Sequence, residues 1–584
     1  MAPDPTPDLA SAPWWASAVG YQIYPRSFQD ADGDGVGDLP GILRRLDHLE
    51  ALGVDVVWLS PVYPSPMKDG GYDVADHQDV DPRFGTLADV DRLIEELHAR
   101  GIRLVIDVVL NHTSDQHPWF QAARRGPDDP KRDWYWWRPP RPGTVPGQPG
   151  AEPTNWRSYF GGPAWSYDEA SGMYYLHLFD RSQPDLNWET PEVRRALYAM
   201  LRWWLARGVD GFRMDVINLV SKELPLRDGT EIGPDGLGDG TPFYESGPRI
   251  HEFVQELHRE VIDGSGKELL VVGEMLGVTA EDARDFTDRA RDELDMVFQF
   301  EHVTLDQASG DKFDLAPLPL PVLKASLARW QRVMADRGWN SLYWSNHDQP
   351  RAVSRFGNDD PVWRERSAKT LATVLHLHRG TPWIYQGEEL GLTNVPFASL
   401  RAFRDVESLN YARSARERGL SEQEILRRLR AKSRDNARTP MPWTAGPNAG
   451  FSDGEPWLAL APNHGRVHAE GQRADPDSVF HHYRRLIELR QRNAVVALGE
   501  FELLAPEHER LYAVRRRLGD EVVLMVANLS EVPLDPGAEG VPVPPGAVLV
   551  LGTEPDGNVP PPAGRLSGWE ARVYRLPEGA DEGA

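Results

Sequence analysis

The 584-residue sequence predicts a (β/α)8 barrel with a subdomain inserted after its third strand and an all-β domain at its C-terminal end. Three observations predict it. Short β-branched runs alternate with helical patterns, and eight of those runs read as strands. The alternation breaks twice, for long stretches rich in Trp, Pro, Gly and Asp. From residue 497 onward only strand patterns and turns remain. Strands separated by helices imply a parallel sheet, and eight such units imply a closed barrel.

Residues 20–25 (GYQIYP) read as the first strand and 43–52 as an amphipathic helix. Residues 54–59 (VDVVWL) are the second strand, 87–100 its helix, and 102–110 (IRLVIDVVL) the third strand. Residues 113–182 then include WYWWRPPRPGTVPGQPG. A structureless loop that long does not suit a compact domain, so this segment reads as an inserted subdomain. The alternation resumes with strands at 211–214, 269–273, 296–300, 341–344 and 383–385. Residues 1–112 and 183–495 therefore make the barrel, with an irregular insertion after the eighth strand at about 388–460 and a helix at 480–491. Runs at 512–516, 521–527, 547–551 and 570–575 make residues 496–584 a β-sandwich. The closing GADEGA reads as a frayed end.

Composition narrows the function. Lys and Arg total 64 against 89 Asp and Glu, a net charge of −25. Such a chain repels phosphate backbones and anionic lipid, so neither nucleic acid nor membrane is expected as a partner. It has no cysteine. That excludes disulfides, thiolate metal sites and cysteine nucleophiles, and fits a reducing compartment. The first residues, MAPDPTPDLASAPWW, lack a basic segment followed by an apolar run, and no run of about 18 apolar residues occurs. A cytoplasmic enzyme or binding protein is expected, as a monomer or weak homo-oligomer.

In such a barrel the chemistry lies where the strands end. Asp107, Asp215 and Glu274 fall at the ends of three predicted strands, and Asp348 lies just past a fourth. Four carboxylates from four strands would converge on one mouth.

These residues lie in DVVLNH (107–112), GFRMDV (211–216), VGEM (272–275) and SNHDQ (345–349). The set, in this order, resembles the alpha-amylase superfamily of retaining glycoside hydrolases. QPDLNW (183–188), FGGPAW (160–165) and RDNARTPM (434–441) are similar to segments of its oligo-1,6-glucosidase group. The resemblance covers nearly the whole chain. It implies an exo-acting alpha-glucosidase that cleaves alpha-1,6 bonds at the non-reducing end of small isomalto-oligosaccharides through a covalent glucosyl-enzyme. Asp215 is then the nucleophile, Glu274 the acid/base and Asp348 the third carboxylate, holding sugar hydroxyls and helping to keep Glu274 protonated. Arg213, two residues before Asp215 on the same strand, faces the same way and keeps it ionised and oriented. His112 and His347 bind hydroxyls of the same ring. Asp69 and Arg438 grip the terminal glucose while Tyr72 packs on its face. Phe160, Phe179 and Gln183 line that subsite, and Glu407 contacts the next sugar. Val216 goes with alpha-1,6 preference.

The segment DADGDGVGD (30–38) resembles a calcium loop. Asp30, Asp32 and Asp34 alternate, Val36 offers its carbonyl, and Asp38 closes the loop. Hard oxygens at this spacing suit Ca2+, or Mg2+, in a structural role. The alternatives to the leading function share its chemistry: an alpha-1,4-glucosidase, or a transglucosylase acting on sucrose or trehalose. The stretch DQASGDKFDLAPLPLP (306–321) departs from the Arg-rich loop that sucrose isomerases carry there. A non-catalytic, transporter-associated relative would have a membrane helix and degraded motifs.

Overall fold

The computed structural model describes residues 8–233, 235–308, 311–554, 564–577 and 579. The closing segment read as frayed falls almost wholly outside them. Eight parallel strands form the barrel: β1 (Gly20–Ile23), β2 (Val56–Leu59), β3 (Arg103–Val109), β4 (Gly211–Asp215), β5 (Leu270–Glu274), β6 (Met296–Phe298), β7 (Ser341–Leu342) and β8 (Thr381–Tyr385). Their order is β7-β8-β1-β2-β3-β4-β5-β6, and a parallel bridge between Val297 and Asn340 joins β6 to the start of β7. Each predicted strand is present.

Strand alternation decides which side chains enter the barrel. Val56, Trp58, Val105, Leu270, Val272, Met296 and Phe298 form the interior cluster, while Val57, Leu59, Leu104, Ile106, Phe212 and Val271 pack outward under the helices. Trp383 belongs to the interior cluster, and it is tolerated because Gly20 stands beside it: a Cβ on Gly20 would lie 2.2 Å from the indole. The same parity carries upward. Asp107 follows Val105 by two, and Glu274 follows Val272 by two. Register pairs Asp107 with Arg213 and Met214 with Gly273. Asp107, Arg213, Asp215 and Glu274 therefore all face inward at the same rim.

The segment after β3 contains a short helix (Pro118–Ala123) and a three-stranded antiparallel sheet of Trp137–Arg138, Trp165–Asp168 and Met173–Leu176. Three details differ from the sequence reading. The single helix expected at 43–52 is two, Leu39–Leu43 and Leu46–Leu52. The first begins early because Asp38 caps it, accepting the Gly41 N–H, with Pro40 in the first turn. The stretch after β8 is not wholly irregular: it holds helices Val406–Glu417 and Glu422–Lys432, capped by Asp405 and Ser421. The expected β-sandwich is, among the described residues, one five-stranded antiparallel sheet built from β9 (Glu500–Leu504), β10 (Leu511–Leu518), β11 (Glu521–Asn528), β12 (Val548–Gly552) and β13 (Glu570–Arg575). Both of its faces are apolar. Tyr512, Val514, Val523, Met525 and Val573 join the main core, and Leu511, Ala513, Leu524 and Val526 pack beneath Leu534, Val541 and Leu566. The barrel's own helix Arg364–His376 covers the first face, where a sandwich would place a second sheet. No helix among the described residues is long and apolar enough to cross a membrane.

Candidate active site

Arg213 organises the mouth. It is 1% exposed, and its guanidinium meets three carboxylates: Nη1 lies 2.9 Å from Asp107 Oδ1 and 2.8 Å from Asp215 Oδ1, and Nη2 lies 2.5 Å from Glu274 Oε1. Asp107 Oδ2 also accepts the Trp58 indole N–H at 3.0 Å and the Tyr72 hydroxyl at 2.8 Å. Asp107 is thus a fully satisfied anchor that holds Arg213 from below.

Asp215 and Glu274 are drawn to the two ends of one guanidinium, Asp215 on Arg213 Nη1 and Glu274 on Nη2, and Glu274 Oε2 also accepts the Val216 N–H at 3.3 Å. Burial, and then the Glu274 charge, push Asp215 well above the usual carboxylate range, against the pull of Arg213. Burial also raises Glu274, opposed by Arg213 and assisted by the charges of Asp348 and Asp107. Arg213 thus favours the ionised form of Asp215, as the sequence reading has it, while burial and Glu274 oppose it. Arg213 orients Asp215, and its charge is divided among three carboxylates.

Val216 does not continue the strand. Its φ and ψ are 38° and 42°, a left-handed conformation that is costly for a β-branched residue. The bend turns its side chain out of the barrel alternation. Val216 is 4% exposed and packs in a cluster with Phe179, Leu219 and Tyr244, with Phe160 and Leu276 at its edge.

A second wall comes from the inserted subdomain and the loop after β2. Gln183 Nε2 lies 3.1 Å from Asp69 Oδ2 and 3.2 Å from His112 Nε2. The His112 ring lies 5.3 Å from that of Phe179, and Phe179 meets Phe160 edge-on at 5.5 Å. Tyr72 stacks on His347 at 5.1 Å, and Gln22 bonds His347 Nδ1 at 2.8 Å. Burial pushes His112 down to about 4 and His347 down to about 3. Both rings are neutral at neutral pH, suited to exchanging hydrogen bonds with hydroxyls.

The arginine opposite Asp69 is Arg434, at 2.9 Å, and not Arg438. Arg438 lies 2.6 Å from Asp348 Oδ1, and Arg434 reaches the same oxygen at 3.2 Å. The reason is local. Arg434 opens a 3-10 turn, Arg434–Asn436, capped by Ser433, and the turn aims the two side chains at different partners. Partial burial works against charge on Asp348, but His347, Arg434, Arg438 and Lys312 outweigh it and hold its carboxyl well below the usual range. Glu407 lies 2.7 Å from Lys312 and 3.5 Å from Arg434.

Sequence reasoning missed Arg434, Asp405 and Lys312. Asp405 accepts Arg434 Nη2 at 2.5 Å with Oδ1, and with Oδ2 it caps the helix Val406–Glu417 through the Ser408 N–H at 3.0 Å. The signal for Asp405 was an Asp three residues before a Ser at a helix start. For Arg434 the signal was ambiguous, since RDNARTPM offers two arginines. Lys312, in a loop after β6, gave none.

In the loop after β1, one oxygen from each of Asp30, Asp32 and Asp38 lies within 4.8 Å of the others. Among the described residues none of these carboxylates is ion-paired, and burial together with the charges of Asp30 and Asp32 pushes Asp38 up. Gathered hard oxygens with uncompensated charge fit a divalent cation. Asp34 stands outside the group and accepts the Val36 N–H at 2.7 Å. The loop is also braced internally: Asp30 accepts the N–H groups of Asp32, Gly33 and Gly35, and the Ser452 hydroxyl at 2.5 Å.

Residues 22–499 match the family model of the alpha amylase catalytic domain. The chain is 49% identical to an oligo-1,6-glucosidase of Parageobacillus thermoglucosidasius, over 96% of this chain and 99% of that protein. It is 47% identical to a trehalose-6-phosphate hydrolase of Bacillus subtilis, over 88% and 90% of the two chains. Among solved structures, trehalose-6-phosphate hydrolase from Bacillus licheniformis superposes with a TM-score of 0.89 at 43% identity, covering 97% of this chain and all of the other. The trehalulose synthase MutB from Pseudomonas mesoacidophila does so at 0.89 and 40%, with the same coverage. This chain belongs to the alpha-amylase family of glycoside hydrolases.

Proposed function

We propose that the protein is an exo-acting retaining alpha-glucosidase that hydrolyses alpha-1,6 bonds at the non-reducing end of isomalto-oligosaccharides. The observation that carries this reading is the Asp215–Glu274 pair, bridged by the two terminal nitrogens of one guanidinium at 2.8 and 2.5 Å. An inverting pair must leave room for a water, at roughly 6.5–9.5 Å, whereas a retaining pair stands about 5–5.5 Å apart. Carboxyl groups this close belong with the retaining case.

The chemistry divides as follows. Asp215 attacks the anomeric carbon. Glu274 gives its proton to the departing glycosidic oxygen, so the aglycone leaves neutral and a glucosyl ester forms on Asp215. Glu274, now ionised, takes a proton from water, the water oxygen bonds to the anomeric carbon, and the ester breaks to restore Asp215. Arg213 stabilises the charge of Asp215 and holds it towards the anomeric carbon. Asp348, ionised, and neutral His112 and His347 hold the ring hydroxyls. Asp69 and Arg434, beside Phe160, Phe179, Gln183 and Tyr72, close the pocket beyond that ring, which makes the cleavage exo. Arg438 fixes Asp348, and Glu407 with Lys312 borders the next sugar.

Relatives at 48–49% identity bear the name oligo-1,6-glucosidase. This supports the alpha-1,6 preference, as does the bend that brings Val216 against Phe179 and Phe160. Asp30, Asp32 and Asp38 would hold Ca2+ or Mg2+, which would offset their charge and brace the loop. The substrate is a small neutral oligosaccharide, handled in a reducing, cytoplasmic setting. An activity panel of isomaltose, isomaltotriose, panose, maltose, sucrose, trehalose and starch tests the reading. Glucose released singly from isomaltose and isomaltotriose is expected. Faster turnover of maltose, or internal cleavage of starch, overturns it.

A further inference from the structure

Arg351 lies three residues beyond Asp348 and is 1% exposed. No carboxylate among the described residues forms an ion pair with it. Its guanidinium instead donates to four neutral oxygens: Nε to the Asn436 carbonyl at 3.1 Å, Nη1 to the Gln386 carbonyl at 2.6 Å, and Nη2 to the Ala437 carbonyl at 2.9 Å and the Thr439 hydroxyl at 3.2 Å. A buried cation held by three carbonyls and a hydroxyl is expensive, and ordinary packing would be served as well by an apolar side chain.

The acceptors explain the choice. Asn436, Ala437 and Thr439 belong to the segment that presents Arg434 and Arg438. Gln386 is the first residue past β8, and Arg351 closes the segment that carries Asp348. Three separately folded segments thus meet on one planar fork, which a lysine ammonium cannot span. On the far side of the same segments, Arg434 and Arg438 meet Asp348. The site also makes room for the fork. Gly387 has φ of +93°, and a Cβ there would lie 2.9 Å from Arg351 Nη1. Tyr385 lies under the guanidinium at 5.2 Å and donates its hydroxyl to the same Ala437 carbonyl at 2.8 Å.

We propose that Arg351 is a positioning residue that sets the spacing between Asp348 and the Arg434–Arg438 turn, and so the fit of the terminal sugar. It touches no substrate and acts through Arg438 and Arg434. The proposal rests on the alpha-glucosidase reading above. A displacement of about 1 Å at such a site costs up to about a hundredfold in rate.

The experiment is a double-mutant cycle of Arg351→Lys and Arg438→Lys, assayed with p-nitrophenyl alpha-glucoside and accompanied by melting curves. Arg351→Lys is expected to fold and to lose ~10- to 100-fold in kcat/KM, mostly through KM. The double variant is expected to lie within about threefold of the worse single variant, because both changes release one contact set. A folded Arg351→Lys enzyme within twofold of the parent overturns the proposal, as do losses that multiply in the double variant. Should Arg351→Lys fail to fold, Tyr385→Phe removes only the second donor to Ala437. A raised KM then supports the proposal, and an unchanged KM overturns it. Failure of the unmodified enzyme to cleave the aryl glucoside would instead sink the functional reading.

Discussion

Asp69 and Arg434, 365 positions apart in the chain, meet at 2.9 Å with side chains 7% and 5% exposed. A charge-assisted bond in this setting is worth about 1.5–3 kcal/mol, or roughly ten- to a hundredfold. Asp69→Asn and Arg434→Lys are therefore expected to lower kcat/KM for isomaltose by about that factor, chiefly by raising KM. Steady-state kinetics on the folded variants checks this. A normal KM in Asp69→Asn would mean that the pair does not grip the sugar.

Val216 sits bent between the nucleophile and the Phe179 cluster. An alpha-1,6 link adds a CH2 and a torsion that carry the leaving glucose away from the crowded wall, while an alpha-1,4 link holds that ring near the Val216 methyls. Val216→Ala should raise maltose turnover relative to isomaltose by roughly ten- to two-hundredfold in kcat/KM. An unchanged ratio in the variant would remove Val216 from the account.

Behind the mouth, burial raises Glu388 to about 8, with Ser345 and Arg351 opposing and Glu389 assisting. Below pH ~4.5 the group is protonated in both the folded and unfolded chains. As pH rises towards 8, only the unfolded chain releases the proton, so stability falls through that window, by at most on the order of 5 kcal/mol. Glu388→Gln should lose less of its melting temperature between pH 5 and pH 8 than the parent does, and should melt higher than the parent at pH 8. Calorimetric scans at the two pH values decide it; a steeper pH dependence in the variant would contradict the sign.

Removing divalent cations should lower the melting temperature while leaving activity at mild temperature largely intact, since the loop supplies no group to the mouth. An enzyme that keeps its melting temperature but loses activity on chelation would place the metal in the chemistry.

Much of this was legible because strand parity is a strong signal. Val105 and Asp107, or Val272 and Glu274, fix both a strand and the direction its last carboxylate faces. The Asp69 partner was not legible, because Arg434 and Arg438 stand in one short motif and only the capped turn separates their directions. The helices at Val406–Glu417 and Glu422–Lys432 escaped notice because each buries a narrow stripe, Tyr411, Ala412 and Ala415 in one and Ile425 and Leu429 in the other. The C-terminal strands show apolar residues on both faces. That pattern tells that both are covered, but not that helix Arg364–His376 covers one of them. That three carboxylates, Asp107, Asp215 and Glu274, meet Arg213 at once is something no single strand reveals.

The central claim is that Asp215 and Glu274 act as a retaining pair. Proton NMR of the first turnovers on p-nitrophenyl alpha-glucoside tests it most directly. Two successive inversions predict that the alpha anomer of glucose forms first and then mutarotates. Beta-glucose as the first product would contradict the account.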